Sequence, residues 1–415
     1  MKRIIIEGGH KLTGTIKIGG AKNSVVALLP AALLSDEGAY IRKVPNISDK
    51  DALVQIMTLL GADVEVTKTT VKVNSAKVKS IAIPEELSNK LRASYYFMGV
   101  LLARYKKVQI HFPGGCKIGE RPIDYHLKGF EKLGAKIKKD DSKYTLTARK
   151  LVGCPINLEF ASVGATINIM FAATRAEGIT TINNAAREAE IINVADFLNS
   201  MGAKISGQGT STITIEGVKY LKKGSAAVIP DRIEAGTYVV AGALLGKNLK
   251  IEGIEKNHIG ALLKKLDDMG IPYDLNKDSI TISKVRKIKP INVKTLVFPG
   301  FPTDLGQPIQ VLLTQASGAS FFEETIYENR MAHIKYLQMM NANIEHTNMR
   351  AKIVGPTKLV GREITAQDLR GGAALVLAGL IAEGLTIVND ADHILRGYER
   401  IIEKLTNVGA KIKIE

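Results

Sequence analysis

At 415 residues, 45% of them hydrophobic and 24% charged, the chain has an ordinary globular balance and length for two or three domains, each able to bury a core. The formal net charge of +16 favours anionic partners, but the basic residues fall in short groups interleaved with acids, aromatics are only 5%, and no nucleic-acid module is written in the chain. Cys116 and Cys154 form no disulfide framework, the seven histidines never reach metal-ligand spacing, and no apolar segment is long enough for a secretory signal or a membrane span. A soluble, cytoplasmic protein is expected, with no metal, no nucleic acid and no membrane contact.

Short strands before residue 21 lead into "GGAKNSVVALLP" (19–30), which sets Lys22 and Asn23 just ahead of a helix. There is no GxxxxGK[ST], so this is not a Walker loop, and a glycine turn with Asn23 as N-cap is an equally good reading. From here the chain repeats itself. A helix end, a glycine and a short alternating strand recur as "LGADVEV", "LGAKIKK", "MGAKISG", "MGIPYDL", "MNANIEH" and "VGAKIKI", with the second positions at 61, 134, 202, 270, 341 and 409. These lie 73, 68, 68, 71 and 68 residues apart, the signature of one supersecondary unit used six times. A second helix end precedes each, marked by Gly38, Lys106, Gly178, Gly246, Gly318 and Gly384; glycine at a helix C-terminus followed by β-branched alternation hands a helix over to a strand. Each unit therefore reads helix, strand, helix, strand or hairpin. Three units make each half, with a boundary near residue 230: domains of 21–229 and of 230–415 with 1–20, the opening strands returning to the second half.

The register of the repeats picks out candidate positions. Fourteen residues before each marker stand Ser24, Arg92, Gly164, Arg232, Asp304 and Arg370, at the start of a first helix. Twelve residues after stand Lys50, Glu190, His258, Arg330 and Arg396, at the start of a second helix. If the helices pack in parallel their N-termini converge, and N-termini are anion sites before any side chain is added. Lys22, Arg92, Arg121, Arg370 and Arg396 would make a positive cleft between the halves, suited to phosphates and carboxylates. Arginines at helix starts oppose the dipole, and Arg330, Arg370 and Arg396 at aligned positions suggest an anion that holds them there.

Three further stretches carry chemistry. "PGGCKIGERP" (113–122) puts Cys116 in a glycine-rich loop beside Lys117 and Arg121, which would favour its thiolate. "ASVGATINIM" (161–170) offers the Ser162 hydroxyl and the amides of Val163 and Gly164, read either as a cap or as a diphosphate cradle. "FPTDLGQP" (301–308) sets Asp304 at a helix start, as N-cap, ligand anchor or general base.

These stretches, with "GGAKNSVVALLPAALL", "NNAAREAEIINVADFLNSMGAKISGQG", "PDRIEAGTYVVAGALL", "ENRMAHI", "DLRGGAALVLAGLIAEG" and "HILRGYERIIEKL", closely resemble the UDP-N-acetylglucosamine 1-carboxyvinyltransferases, a branch of the EPSP synthase-like enolpyruvyl transferases, along almost the whole chain. The resemblance implies an α/β fold of two inverse α/β barrels built from six repeated units, three per domain. It implies transfer of the enolpyruvyl group of phosphoenolpyruvate to the 3′-hydroxyl of UDP-N-acetylglucosamine, with no cofactor, by a monomer with at most weak self-association. Lys22, Arg121 and Arg396 would hold the phosphate of phosphoenolpyruvate, with Arg92, Arg330 and Arg370 completing a cationic wall. Asn23 and Asp304 would grip the sugar, with Asp304 the candidate base for its 3′-hydroxyl and Lys22 also catalytic; Ser162, Val163 and Gly164 would take the diphosphate, Arg121, Pro122, Ile123, Asp124 and Tyr125 would flank the uridine, and Arg92 and Ile326 would also contact the UDP-sugar. Cys116 would be the general acid toward the methylene carbon and the residue alkylated by fosfomycin, on a loop that closes as a lid. The chain departs from the pattern at Gly306, where glutamine is expected, and at Phe160, where some members carry a lysine near the diphosphate. The alternatives are 5-enolpyruvylshikimate-3-phosphate synthase and a catalytically idle UDP-sugar-binding paralogue.

Overall fold

The computed structural model describes residues 2–114 and 122–415. Its building block is plainest in the third repeat. Strand Pro155–Asn157 leads into helix Val163–Ala173, whose sequence VGATINIMFAA is apolar on nearly every side and is almost wholly buried. Gly178 (φ 86°) then turns the chain into strand Ile179–Asn183. Helix Ala189–Ser200 follows, burying Ile191, Val194, Ala195, Phe197 and Leu198 on one face while Ile192 stays exposed, and a hairpin of Lys204–Ser206 with Thr212–Glu216 closes the repeat. The leading strand pairs parallel to the second strand, and the hairpin pairs antiparallel to it, giving a four-stranded sheet.

Six repeats of this kind follow one another, and the first helix of each is its core helix: α1 (Lys22–Ala32), α2 (Tyr96–Tyr105), α3 (Val163–Ala173), α4 (Arg232–Leu245), α5 (Gly306–Leu313) and α6 (Leu369–Ile381). The second helix of each repeat ends at a left-handed residue: Gly61, Gly134, Gly202, Gly270 and Gly409, with Asn341 (φ 77°) in the remaining place. Lys106 does a glycine's work at the end of α2, with φ 56°. Gly246 departs from this rule: its φ is −65°, and the left-handed residue comes two places later at Asn248.

In every repeat but the fourth, the leading strand is absent from the sequence reading. The leading strands Pro155–Asn157, Gly224–Ala227, Asn292–Lys294 and Glu363–Thr365 are three or four residues long and pair in parallel with a strand far along the chain, so no local period announces them. In the second repeat the leader shrinks to a single bridge, Ile83 to Ile110.

The chain divides into two compact units, residues 20–114 with 122–229, and residues 2–19 with 230–415. In the first, α2 packs against α1 and α3, and in the second α5 packs against α4 and α6. The sheets lie over these helices with alternate residues buried. Two strands are exchanged in sequence order. Gly224–Ala227 stands where the leader of the fourth repeat belongs, but pairs parallel to Gly38–Arg42 of the first repeat. Leu12–Lys17 precedes the first repeat and instead leads the fourth, parallel to Gly246–Glu252. Ile4–Glu7 takes the place of the missing hairpin strand in the sixth repeat, between Leu385–Asn389 and Lys411–Ile414. No helix among the described residues is long and apolar enough to cross a membrane.

Candidate active site

In the unit of residues 230–415 the site is built on a 3-10 turn, Thr303–Leu305, that feeds α5. Asp304 on this turn does not cap the helix. Its Oδ1 accepts a hydrogen bond from Arg330 Nη2 at 2.6 Å and its Oδ2 accepts one from Arg370 Nη2 at 3.0 Å. Both arginines are buried, 5% and 3% exposed. Burial alone would raise the Asp304 carboxyl, but Arg370 and Arg330 outweigh it and hold the group far below the usual carboxylate range. Burial works against the Arg370 charge as well, and Asp304 reverses it, so that guanidinium stays charged.

Each arginine is held from below. Asp368 caps α6 by accepting from the amides of Arg370 (2.9 Å) and Gly371 (3.0 Å), and the Arg370 guanidinium lies 5.4 Å over the ring of Tyr398, whose hydroxyl meets Thr237 Oγ1 at 2.9 Å. Arg330 lies 5.1 Å over the ring of Tyr327. Buried Glu324 ties the turn to its neighbours: its Oε2 accepts from Thr303 Oγ1, and its Oε1 from Thr295 Oγ1 and the amide of Ile326, each at 2.8 Å. Two guanidiniums on one carboxylate leave a positive excess. Among the described residues Arg330 Nε and Arg370 Nη1 are buried without a hydrogen-bond partner, donors of the kind an anion could use.

A second buried acid lies at the start of α4. Asp231 caps that helix through the amides of Ile233 and Glu234, while Glu234 Oε1 accepts from Lys404 Nζ at 2.5 Å and Oε2 from the amide of Gly19 at 2.8 Å. Burial pushes the Glu234 carboxyl up to about 7, only partly countered by Lys404.

In the unit of residues 20–229, Lys22 is the first residue of α1, and its Nζ lies 3.1 Å from Asp49 Oδ2, a carboxylate 5% exposed. Asn23 makes no cap there. Arg92 opens the 3-10 turn Arg92–Tyr95 ahead of α2. Ser162 caps α3, its Oγ accepting from the Ala165 amide at 3.3 Å, with Val163 and Gly164 as the first two helical residues. Ile123 is buried and Asp124 begins helix Asp124–Lys132, with Pro122 exposed and Tyr125 half-buried beside them.

The family model of EPSP synthase, 3-phosphoshikimate 1-carboxyvinyltransferase, matches residues 6–405. A UDP-N-acetylglucosamine 1-carboxyvinyltransferase 2 of Listeria monocytogenes is 49% identical over 99% of this chain and 97% of its own length. The chain belongs to the EPSP synthase family. A UDP-N-acetylglucosamine 1-carboxyvinyltransferase 1 of Streptococcus agalactiae is similar to the same degree, 47% identical over all of this chain and 99% of its own. The family's fold is confirmed in three dimensions by the enolpyruvyl transferase NikO of Streptomyces tendae, with a TM-score of 0.91 at 24% identity over 100% of this chain and 98% of that one. An EPSP synthase of Acinetobacter baumannii matches with a TM-score of 0.77 at 17% identity over the whole of both chains.

Against the family pattern expected from the sequence, Asp304, Arg330 and Arg370 come together, while Cys116 and Arg121 lie outside the described residues. Contrary to the expectation for the aligned arginines Arg330, Arg370 and Arg396, only Arg370 stands in the first turn of a helix. Arg330 stands in a turn before helix Ile334–Met339 and Arg396 follows helix Asp392–Leu395, so neither opposes a helix N-terminus. Arg370 does begin a helix, but its counter-ion is Asp304 rather than a ligand alone. Asp49, Asp368, Glu324 and Tyr398 were not singled out in the sequence. The capping signal "DLR" was there for Asp368; nothing in spacing marks the others.

Proposed function

We propose that this protein transfers the enolpyruvyl group of phosphoenolpyruvate to the 3′-hydroxyl of UDP-N-acetylglucosamine with release of phosphate, opening peptidoglycan synthesis in the cytoplasm as a monomer with no metal or cofactor. The observation that carries this is the 47–49% identity, over 99% or more of the chain, to curated relatives named for that activity. The unspent donors of Arg330 and Arg370 support it, since both substrates are anions.

Lys22, Arg121 and Arg396 are assigned to the phosphate of phosphoenolpyruvate, and Arg92, Arg330 and Arg370 to the remaining negative charge. Asn23, Asp304 and Ile326 take the sugar, Ser162, Val163 and Gly164 the diphosphate, and Arg121 to Tyr125 the uridine. Cys116 gives its proton to the methylene carbon of phosphoenolpyruvate, leaving an oxocarbenium-like centre at the neighbouring carbon. The 3′-hydroxyl oxygen bonds to that centre as its own proton departs. The bond to phosphate then breaks and the methyl carbon loses a proton, which restores the double bond. Clamped by two arginines, Asp304 is a weak base. It anchors the 3′-hydroxyl first, and takes its proton only after the phosphoenolpyruvate carboxylate has drawn the two guanidiniums to itself.

The test is phosphate release from phosphoenolpyruvate with UDP-N-acetylglucosamine or shikimate-3-phosphate as acceptor, before and after fosfomycin. Release with the UDP-sugar alone, lost after fosfomycin, is expected. Release with shikimate-3-phosphate, or none despite nucleotide binding, would replace the proposal with one of its two alternatives.

A further inference from the structure

Behind the first turn of α3 lies a polar network that none of the roles above uses. His126 is 4% exposed, and its Nδ1 lies 2.8 Å from Asn168 Nδ2. Which way Asn168 faces is settled by its other contacts: Oδ1 accepts from the Gly99 amide at 3.0 Å, and Nδ2 donates to the Tyr95 carbonyl at 3.0 Å. The atom facing His126 is therefore a donor, so Nδ1 must accept and the ring proton must sit on Nε2. Burial first, and then the neighbouring Arg92, press the imidazole down to about 3, which keeps it neutral at any working pH.

The bond to Asn168 engages Nδ1 and leaves the Nε2–H on the other side of the ring. It is aimed at the head of α3. A Cβ placed on Gly164 would stand 3.0 Å from His126 Nε2 and 2.8 Å from Tyr95 Oη, so both polar atoms converge over a glycine that leaves them room. Tyr95 and His126 are locked edge to face, with ring centroids 4.7 Å apart. The nearby position where some family members carry a lysine holds Phe160, 38% exposed. This helix start therefore presents a buried neutral donor of fixed direction where a mobile cation could have stood.

We infer that Asn168 is a positioning residue that holds His126 as the Nε2–H tautomer, and that this N–H donates to a diphosphate oxygen of the nucleotide at the start of α3. The inference rests on the proposed UDP-sugar reading. An uncharged donor fixed in this way adds affinity that neither pH nor salt removes, unlike a lysine at the same place.

The experiment measures the Kd of UDP-N-acetylglucosamine from pH 6 to 9 on the full chain, with nitrogen-15 spectra of the histidine rings. Wild-type protein is expected to show His126 neutral, protonated on Nε2, and to add no pH dependence to Kd. His126→Phe should weaken binding about tenfold, the worth of one hydrogen bond. His126→Gln, whose amide nitrogen reaches near the Nε2 position, should recover most of that loss. Asn168→Asp presents an acceptor to Nδ1, so the proton moves there or the ring becomes charged, and Kd should acquire a pH dependence that a merely structural change would not produce. In turnover these changes should appear in KM for the UDP-sugar and leave kcat close to wild type. An Nδ1–H tautomer in the wild-type spectrum, or an Asn168→Asp protein with the wild-type Kd and pH profile, overturns the inference. Should Asn168→Asp fail to fold, the wild-type spectrum with the Phe and Gln variants still decides it. Failure of wild-type protein to bind UDP-N-acetylglucosamine at all would overturn the functional reading instead, and the inference with it.

Discussion

The two compact units share one repeat but treat charge at its equivalent positions in opposite ways. At the starts of the core helices, residues 20–229 carry Ser24, Arg92 and Gly164, and residues 230–415 carry Arg232, Asp304 and Arg370. In the first unit, Ser24 spends its hydroxyl on Asn193 and Gly164 clears space for neutral donors. In the second, Asp304 and Arg370 bury charge and pair it internally. The repeat thus supplies a position at a helix start, and the residue placed there decides whether the position is a cradle or a clamp. A buried pair is stiff but depends on each partner, because either one left alone is a desolvated charge.

The comparison breaks most sharply at Asp304. Asp304→Ala leaves two buried guanidiniums facing each other without a counter-ion, and should cost about 3–5 kcal/mol in urea unfolding as well as abolishing turnover. Asp304→Asn keeps the shape and removes the charge. If it retains full activity across the pH–rate profile, the carboxylate is no base.

The second unit also holds two acids whose pH effects have opposite signs. Glu234 is raised to about 7 in the folded protein, so its contribution is complete below the unfolded value near ~4.3 and is lost as pH climbs to 7. Asp304 is depressed, so its contribution is present above about 4 and is lost as pH falls below that. Urea midpoints of Glu234→Gln measured against wild type between pH 4.5 and 7 should diverge in the variant's favour with rising pH, by on the order of 3 kcal/mol. A parallel pair of curves would mean that Glu234 ionises normally.

Smaller effects belong to the first unit. Asp49→Asn removes the partner of Lys22 and should cost about 2 kcal/mol, with KM for phosphoenolpyruvate raised as Lys22 loses its direction. Lys106→Gly relieves a left-handed non-glycine residue at the end of α2 and should raise stability by less than about 1 kcal/mol, with unchanged kcat.

What the sequence discloses depends on how local the cause is. The helix ends were legible because a left-handed residue after a helix is a one-residue requirement, met by glycine five times and by Asn341 once. The register placed Asp304, Arg330 and Arg370 at comparable sites, but not in contact, since 26 and 66 residues of chain separate the carboxylate from its two partners. The His126–Asn168 network spans 42 residues and has no periodicity at all. The short parallel leaders escaped for the same reason: three residues such as Asn292–Lys294 are a strand only because Gly318–Glu323 lies alongside.

The exchange of strands also sets a schedule for synthesis. Ile4–Glu7 is made well before either of its partners, Leu385–Asn389 and Lys411–Ile414, which lie about 400 residues further along the chain. At about 5–20 residues per second, that strand waits roughly 20–80 s with both edges open. Leu12–Lys17 waits for Gly246–Glu252 in the same way, whereas Gly224–Ala227 finds Gly38–Arg42 already made. On the ribosome, then, the unit that contains Ile4–Glu7 is completed after the other, and a chain interrupted before Lys411–Ile414 leaves an apolar strand, Ile4 and Ile6 included, without the sheet that covers it.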